Sequence, residues 1–498
     1  MRWRLGVATL VAAVMSALTA CSGSESGAAA TTAGVTSTTA ATAAARLVDR
    51  PCDTPASLGP THCYYLRVPE RRGVTHSRTI QLWVAVVTPA NVAPSALPLV
   101  YLPGGPGGTA SILAMDPSTA WPGGSRPIVY LDPRGTGRSR PDLSCPEVGR
   151  PLDASHPWAE RRSAAAASFA ACRDRLVREG IDLDGYNTVE TAADVVALRQ
   201  ALGYDKWMLW GISYGGRVAQ EVLRQDPDGV AALLLDSPLT SEAQGPAAKV
   251  DNDKASTVTL SAACAAEPSC ESVTPDLNAA IDAAIAHANA HPYTAHPRAS
   301  DGSTVSVLIT GQEVLQAKVF LMAGFGSIVV LPGAAKSIAA GDTALLDTIA
   351  AQITDPPRGP IALSGATVCA DEQAGLTAAD KAVADDPGDF GTLLVLSDWP
   401  YCDTWKVDSV AGGSLQAPKS DVPTLIFEGA LDPILSPSLG AQIARTLTHS
   451  TIVTIPAGSH GNAMGTPCAS SIAGGFLDDP QAPPDTSCVA SLPPPFAP

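Results

Sequence analysis

The segment Gly211-Ile212-Ser213-Tyr214-Gly215 is a G-x-S-x-G match, and it falls between a predicted strand over 207–210 and a helix predicted from about 216 to 224. That context gives the motif its meaning, because short glycine-serine matches arise by chance in a chain with 43 glycines. A sharp strand-to-helix turn forces the serine hydroxyl outward, and glycine on both sides prevents clashes at the strained backbone. A serine hydroxyl is a poor nucleophile until a base takes its proton, and that base needs a carboxylate to orient it. The implied chemistry is acyl transfer through Ser213.

The two partners are sought downstream, in the order serine, acid, histidine. A strand predicted over 424–428 runs into Gly429-Ala430-Leu431-Asp432-Pro433, so Asp432 lies just past its C-terminal end. Open α/β sheets place their functional groups at that edge. The next strand, 451–455, is followed by Pro456-Ala457-Gly458-Ser459-His460-Gly461, which puts His460 in a Gly-flanked loop at the same edge. Asp236 ends the strand after the elbow and is the rival acid. Asp421 and His449 precede their strands and belong at the opposite end. His287, His291 and His296 sit in an Ala-rich stretch whose spacing hints at metal, but there is no H-E-x-x-H, and solvated surface histidines account for them.

Acyl transfer also needs donors aimed at the developing oxyanion, each contributing roughly 2.7–4 kcal/mol. One candidate is the backbone N–H of Tyr214, the residue after the nucleophile. The other comes from Pro103-Gly104-Gly105-Pro106-Gly107-Gly108, directly after a buried strand, with Gly105 the favoured donor. Glycines there let the backbone approach the substrate closely.

The elements that must hold these residues alternate. Strands are predicted over 62–68, 79–87, 97–102, 128–132, 207–210 and 230–236, with a helix over 191–202 and the elbow helix between them. Short apolar runs bounded by Gly and Pro, alternating with amphipathic helices, argue for a mostly parallel sheet flanked by helices. The rhythm breaks over 240–410, which is Ala-rich and mostly helical in pattern. It resumes with strands at 424–428 and 451–455 and a helix near 439–447. The reading is one α/β domain, 46–239 and 411–498, interrupted by a helical insertion at 240–410.

Taken together, the GGPGG loop, Leu131-Asp132-Pro133-Arg134-Gly135-Thr136-Gly137-Arg138-Ser139, the GISYGG elbow and the EGALDP and GSHG segments resemble the proline iminopeptidase and tripeptidyl aminopeptidase branch of the α/β hydrolases. The resemblance covers most of 60–498 in order. Pro103 departs from it, since many relatives have His before the two glycines. It implies an α/β-hydrolase fold, release of residues or short peptides from free N-termini, and a helical cap between the sixth and seventh core strands. It also implies that acidic cap residues bind the substrate's α-amino group. Cys369-Ala370-Asp371-Glu372 and Trp399-Pro400-Tyr401-Cys402-Asp403-Thr404-Trp405 resemble segments of the exported members, which makes Asp371 and Glu372 the candidate amine anchors. Two other readings stand beside the peptidase. The same triad could act on an ester, because fold and triad do not separate the two reactions. A non-catalytic surface binding protein would lack a triad member or block the elbow, and the sequence does neither.

Composition and the N-terminus set the cellular context. Hydrophobic residues make up 45% and charged residues 16%, enough for a well-buried core. The formal net charge is −16 with no basic stripe, which makes nucleic acid a poor partner. No Walker loop or G-x-G-x-x-G follows the first strand, so no cofactor is implied. Arg2 and Arg4 precede an apolar run from Leu5 to Leu18, which reads as a signal peptide over 1–20. Leu18-Thr19-Ala20-Cys21 resembles a bacterial lipobox, which implies lipidation of Cys21 and a membrane anchor, with 21–45 as a flexible tether. Of eleven cysteines, ten remain after Cys21, an even set that reads as five disulfides in an exported chain. Sequence does not fix their connectivity. Pairing consecutive residues gives Cys52–Cys63, Cys145–Cys172, Cys264–Cys270, Cys369–Cys402 and Cys468–Cys488. No C-x-x-C spacing occurs, and no metal site is expected. The expected substrate is a peptide or small ester.

Overall fold

The computed structural model describes residues 45–496 apart from 56–58, 93–95, 116–125, 243, 325–327, 355–358, 386–387, 389–401, 411 and 413–414. The signal segment, Cys21, the tether as far as residue 44, and Trp399, Pro400 and Tyr401 lie outside the described residues.

The strands in chain order are β1 (Arg46–Arg50), β2 (Thr61–Pro69), β3 (Thr79–Val87), β4 (Leu99–Leu102), β5 (Ile128–Leu131), β6 (Trp207–Ile212), β7 (Val230–Asp236), β8 (Tyr293–Ala295), β9 (Val307–Ile309), β10 (Thr424–Gly429) and β11 (Ser450–Ile455). Nine of them form one sheet in the order β1-β2-β3-β5-β4-β6-β7-β10-β11. From β5 to β11 every neighbour is parallel, while β1, β2 and β3 add an antiparallel wing. β4 and β5, sequences LVYL and IVYL, are buried at every position, as strands covered on both faces must be.

Alternate residues of each strand feed two cores. Leu209, Leu233, Leu235 and Ile426 pack on one face with Val195, Val218 and Val222 from helices Thr188–Leu202 and Tyr214–Gln225. Met208, Trp210, Leu234 and Phe427 pack on the other with Ile472 and Phe476 of helix Pro467–Asp478. The two-residue period of a strand makes that division automatic.

Three features went unread in the sequence. β1 lies outside the six strands read before the insertion, so the insertion follows the seventh sheet strand rather than the sixth. Its pairing with β2 is long-range in character and leaves only a weak pattern in five residues. The insertion also carries a two-stranded antiparallel sheet, β8 with β9. Finally, helix Trp158–Arg178 belongs with the insertion by packing: Phe169, Cys172 and Leu176 share a core with Leu363, Ala366 and Trp405. The Phe169 and Trp405 rings lie 5.8 Å apart.

The insertion has its own core, built from helices Pro246–Ala266, Leu277–Ala290, Gly311–Ala323, Leu331–Ala339 and Ala344–Gln352. Leu431, from the loop after β10, is buried in that core rather than in the sheet's. The disulfides are Cys52–Cys63, Cys145–Cys172, Cys264–Cys270, Cys369–Cys402 and Cys468–Cys488. No helix among the described residues is long and apolar enough to cross a membrane.

Candidate active site

Strand order reverses around β4, which lies between β5 and β6, and ligands of open α/β sheets bind beyond the strand ends at such a point. Leu102 at the end of β4 stands opposite Gly211 of β6, so the glycine loop and the elbow leave the sheet side by side. Ser213 has φ 57° and ψ −123°, a conformation that costs energy for a residue with a side chain. Its neighbours must be glycine: a Cβ on Gly211 would run into the Gly215 carbonyl, and one on Gly215 into the Leu102 carbonyl.

The glycine loop presses against the nucleophile. A Cβ on Gly104 would lie 3.0 Å from the Ser213 Cβ and 3.5 Å from its Oγ. Gly105 has φ 121°, and the Gly108 N–H closes the turn on the Gly104 carbonyl at 3.1 Å. Among the described residues no protein acceptor takes the N–H of Gly105 or of Tyr214. Tyr214 opens its helix, where backbone N–H groups have no intrahelical partner. Both donors therefore sit beside Ser213 and remain available to an oxyanion.

At the neighbouring strand ends the acid and base meet. His460 Nδ1 lies 2.8 Å from Asp432 Oδ2. The other oxygen of Asp432 accepts from the N–H groups of Ile434 at 2.8 Å and Leu435 at 3.0 Å, which fixes the carboxylate's plane. Burial opposes charge on the His460 ring, but the Asp432 carboxylate, its hydrogen bond and Asp236 outweigh that and hold the pKa above the ordinary imidazole value. With Nδ1–H directed at Asp432, Nε2 is the nitrogen left to accept a proton.

The His460 loop is seated on the elbow. A Cβ on Gly461 would meet Ile212 Cδ1, the side chain preceding the nucleophile, at 2.7 Å. Asp236 accepts the backbone N–H groups of Asn462 at 2.6 Å and Ala463 at 2.9 Å through its two oxygens. Asp236, read as the rival acid, is thus committed to the chain just past His460, and the imidazole bonds Asp432.

The insertion reaches the same loops. Asn252 Nδ2 donates to the Asp432 carbonyl at 3.2 Å, and Ser459 Oγ donates to the Met322 carbonyl.

Asp371 and Glu372 require a correction. Both are buried and taken up by protein partners. Thr188 Oγ1 donates to Asp371 at 2.5 Å and also contacts the Tyr214 hydroxyl at 2.8 Å. Arg217 Nη1 donates to Glu372 at 2.6 Å, while its remaining donors go to the carbonyls of Thr240 and Glu242. These acids end helix Ile361–Glu372, where the helix dipole disfavours negative charge, and the side-chain partners offset that. They brace the insertion against the elbow helix. Burial pushes the Asp371 carboxyl up to about 7, against the pull of Arg217 and Thr188.

Sequence reading missed Thr188 and Arg217, which are ordinary helix residues until the insertion folds over them. His287 and His291 stack at 4.5 Å near the surface. Cys145, Glu147 and Cys172 come within metal-ligand reach of one another, but the two sulfurs are spent on their disulfide.

Known proteins place this arrangement. Residues 98–263 match the family model for the alpha/beta hydrolase fold, and residues 388–488 match the model for TAP-like protein. The first span holds Gly105, Ser213 and Tyr214; the second holds Asp432 and His460. The chain has the α/β-hydrolase fold, and its sequence is similar to those of tripeptidyl aminopeptidases and proline iminopeptidases. It is 29% identical to the tripeptidyl aminopeptidase of Streptomyces lividans over 190 residues, which cover 36% of this chain and 35% of that protein. It is 30% identical to the serine protease Hip1 of Mycobacterium tuberculosis over 148 residues, 28% of either chain. The chain thus spans about a third of the length of the curated relatives it matches. A solved proline iminopeptidase from Mycobacterium smegmatis aligns with TM-score 0.40 and 17% identity, over 84% of this chain and 98% of that one.

Proposed function

We propose that this protein is an exported, lipid-anchored serine peptidase that releases short peptides from free N-termini through an acyl-enzyme intermediate. The observation that carries the reading is the His460–Asp432 pair at 2.8 Å, seated on the strand end that bears Ser213, with the Gly104-Gly105 turn against the serine. Ser213 Oγ attacks the scissile carbonyl carbon as His460 Nε2 takes its proton, and Asp432 steadies the imidazolium. The N–H groups of Gly105 and Tyr214 receive the oxyanion. Collapse expels the amine, protonated by His460, and leaves the acyl group on Ser213; water, deprotonated by the same ring, then releases the acid. Lipidation at Cys21 and the tether after it would hold the enzyme on the outer face of a membrane.

The peptide substrate and the free N-terminus rest on the relatives named above. A long acyl tunnel from Ser213 would favour an ester instead. The insertion does carry an apolar pocket of about 370 Å³, lined by Ile281, Val314, Leu321, Leu331 and Ile338 among others. None of its lining residues belongs to the triad or the glycine loop, so the pocket is not such a tunnel.

The test uses protein lacking residues 1–45, offered a tripeptide anilide with a free amine, its N-acetylated twin and a short p-nitrophenyl ester. Cleavage of the free-amine anilide alone supports the proposal. Turnover of the ester with neither anilide cut moves the assignment to an esterase. Labelling of Cys21 by a palmitate analogue in a bacterial host tests the anchor, and its absence with an intact signal sequence removes it.

A further inference from the structure

Asp236 bonds the backbone of both the Ser213 elbow and the loop just past His460 without being part of the triad. Its backbone carbonyl accepts the Ser213 N–H at 2.9 Å, and its carboxylate accepts the N–H groups of Asn462 and Ala463 at 2.6 and 2.9 Å. The next residue completes the attachment: Ser237 Oγ accepts from the Gly461 N–H at 3.0 Å and from Asn462 Nδ2 at 3.1 Å. Three successive backbone N–H groups after His460 therefore end on two side chains at the tip of β7. Asp236 is 1% exposed. A buried carboxylate that accepts two backbone amides is expensive to place, so a simple strand end would not hold one without compensation.

We propose that Asp236 is a positioning residue for His460, its carboxylate fixing the histidine loop to the nucleophile elbow and placing a second negative charge near the imidazole. The proposal rests on the serine-hydrolase reading above for its role in turnover, but not for its effect on the histidine.

The charged and titratable groups facing Asp236 are His460 from its loop, Asp432 from the end of β10, and Tyr101 from β4. Burial pushes the Asp236 carboxyl up to about 6, while the amides of Asn462 and Ala463 and the nearby His460 pull it down and Asp432 adds to the rise. It is therefore mostly ionised near pH 7, when the base must be neutral and ready. Asp432 orients the ring through a direct hydrogen bond; Asp236 acts through the backbone and through space. Loss of the Asp236 charge should lower the histidine pKa, because a nearby opposite charge favours the protonated ring.

The experiment follows the hydrogen-bonded Nδ1 proton of His460 by NMR across pH in wild type, Asp236→Asn and Ser237→Ala, and records kcat/KM against pH in parallel. Asp236→Asn is expected to lower the His460 pKa, moving the acid limb of the profile down with it, and to cut kcat about tenfold or more through the loosened loop. Ser237→Ala removes a tether without removing charge, so it should lower kcat and leave the histidine pKa in place. If the asparagine variant does not fold, Asp236→Ser, which still offers an oxygen to the loop, serves as the neutral substitution. An unmoved His460 pKa in a folded neutral variant overturns the proposal. Because the NMR titration needs no substrate, a wild type that hydrolyses nothing would remove the functional reading while leaving this one testable.

Discussion

Two pairs of buried carboxylates lie near the nucleophile elbow, and they do different things. Asp236 and Asp432 stand at the ends of β7 and β10, facing an imidazole and a set of backbone amides. Asp371 and Glu372 stand at the end of an insertion helix, facing a threonine and an arginine. Burial and adjacency are similar in both places. What separates them is the partner: a titratable ring held by Asp432 makes a candidate catalytic pair, whereas a fixed guanidinium makes a brace. Acidity in a buried position is therefore no guide to role until the opposing group is known.

The sharpest way to break this contrast is at the sheet edge. Ser213→Ala should abolish hydrolysis, lowering kcat by on the order of 10⁴-fold or more, and Asp432→Asn should lower it by about 10⁴-fold by favouring the wrong imidazole tautomer. Both proteins should unfold at nearly the wild-type denaturant midpoint. An Asp432→Asn enzyme that kept most of its turnover would hand the acid's role to Asp236 and collapse the distinction drawn here.

On the other side the expectation reverses. Glu372→Ala leaves Arg217 buried without its counter-ion and should cost about 3–5 kcal/mol of stability, read from urea unfolding. The KM for a free-amine substrate should stay near the wild-type value in the folded protein. A large rise in KM with little loss of stability would restore Glu372 as an amine anchor.

The pH profile sharpens the catalytic half. His460 must be neutral to act as base, and its pKa is held above the ordinary imidazole value. Activity should therefore fall, as pH is lowered, earlier than an unperturbed histidine would dictate. A midpoint of the acid limb below about 6.5 in kcat/KM contradicts the raised value.

Asp371 gives the smallest effect. Its folded pKa of about 7 lies above the ordinary aspartate value of 3.8, so the folded protein keeps a proton that the unfolded chain releases. Its contribution to stability is thus lost as pH rises from about 4 toward 7. Asp371→Asn should flatten that part of the stability curve, while a curve identical to wild type would show that Asp371 is ionised in the fold.

Much of the contrast was legible before any coordinates. A G-x-S-x-G between strand and helix, an acid after one strand and a histidine after the next are local signals, because each depends on a turn whose residues are contiguous. The alternating strand and helix pattern likewise reflects side-chain periodicity within short segments. β1 and the β8–β9 pair left little trace, since strands of five and three residues are made by their partners.

The sequence by itself determined the Ser213, Asp432 and His460 order, the glycine turn that meets the elbow, and the α/β rhythm that brings them to one edge. Only the tertiary structure decided which acids serve the base and which serve the frame. Asp236, Asp371 and Glu372 are each simply an acidic side chain in the one-dimensional chain. Their roles came from groups distant along the chain, namely Asn462 for Asp236, Thr188 for Asp371 and Arg217 for Glu372. A buried charge takes its function from whatever solvates it in place of water, and that substitute is chosen by packing.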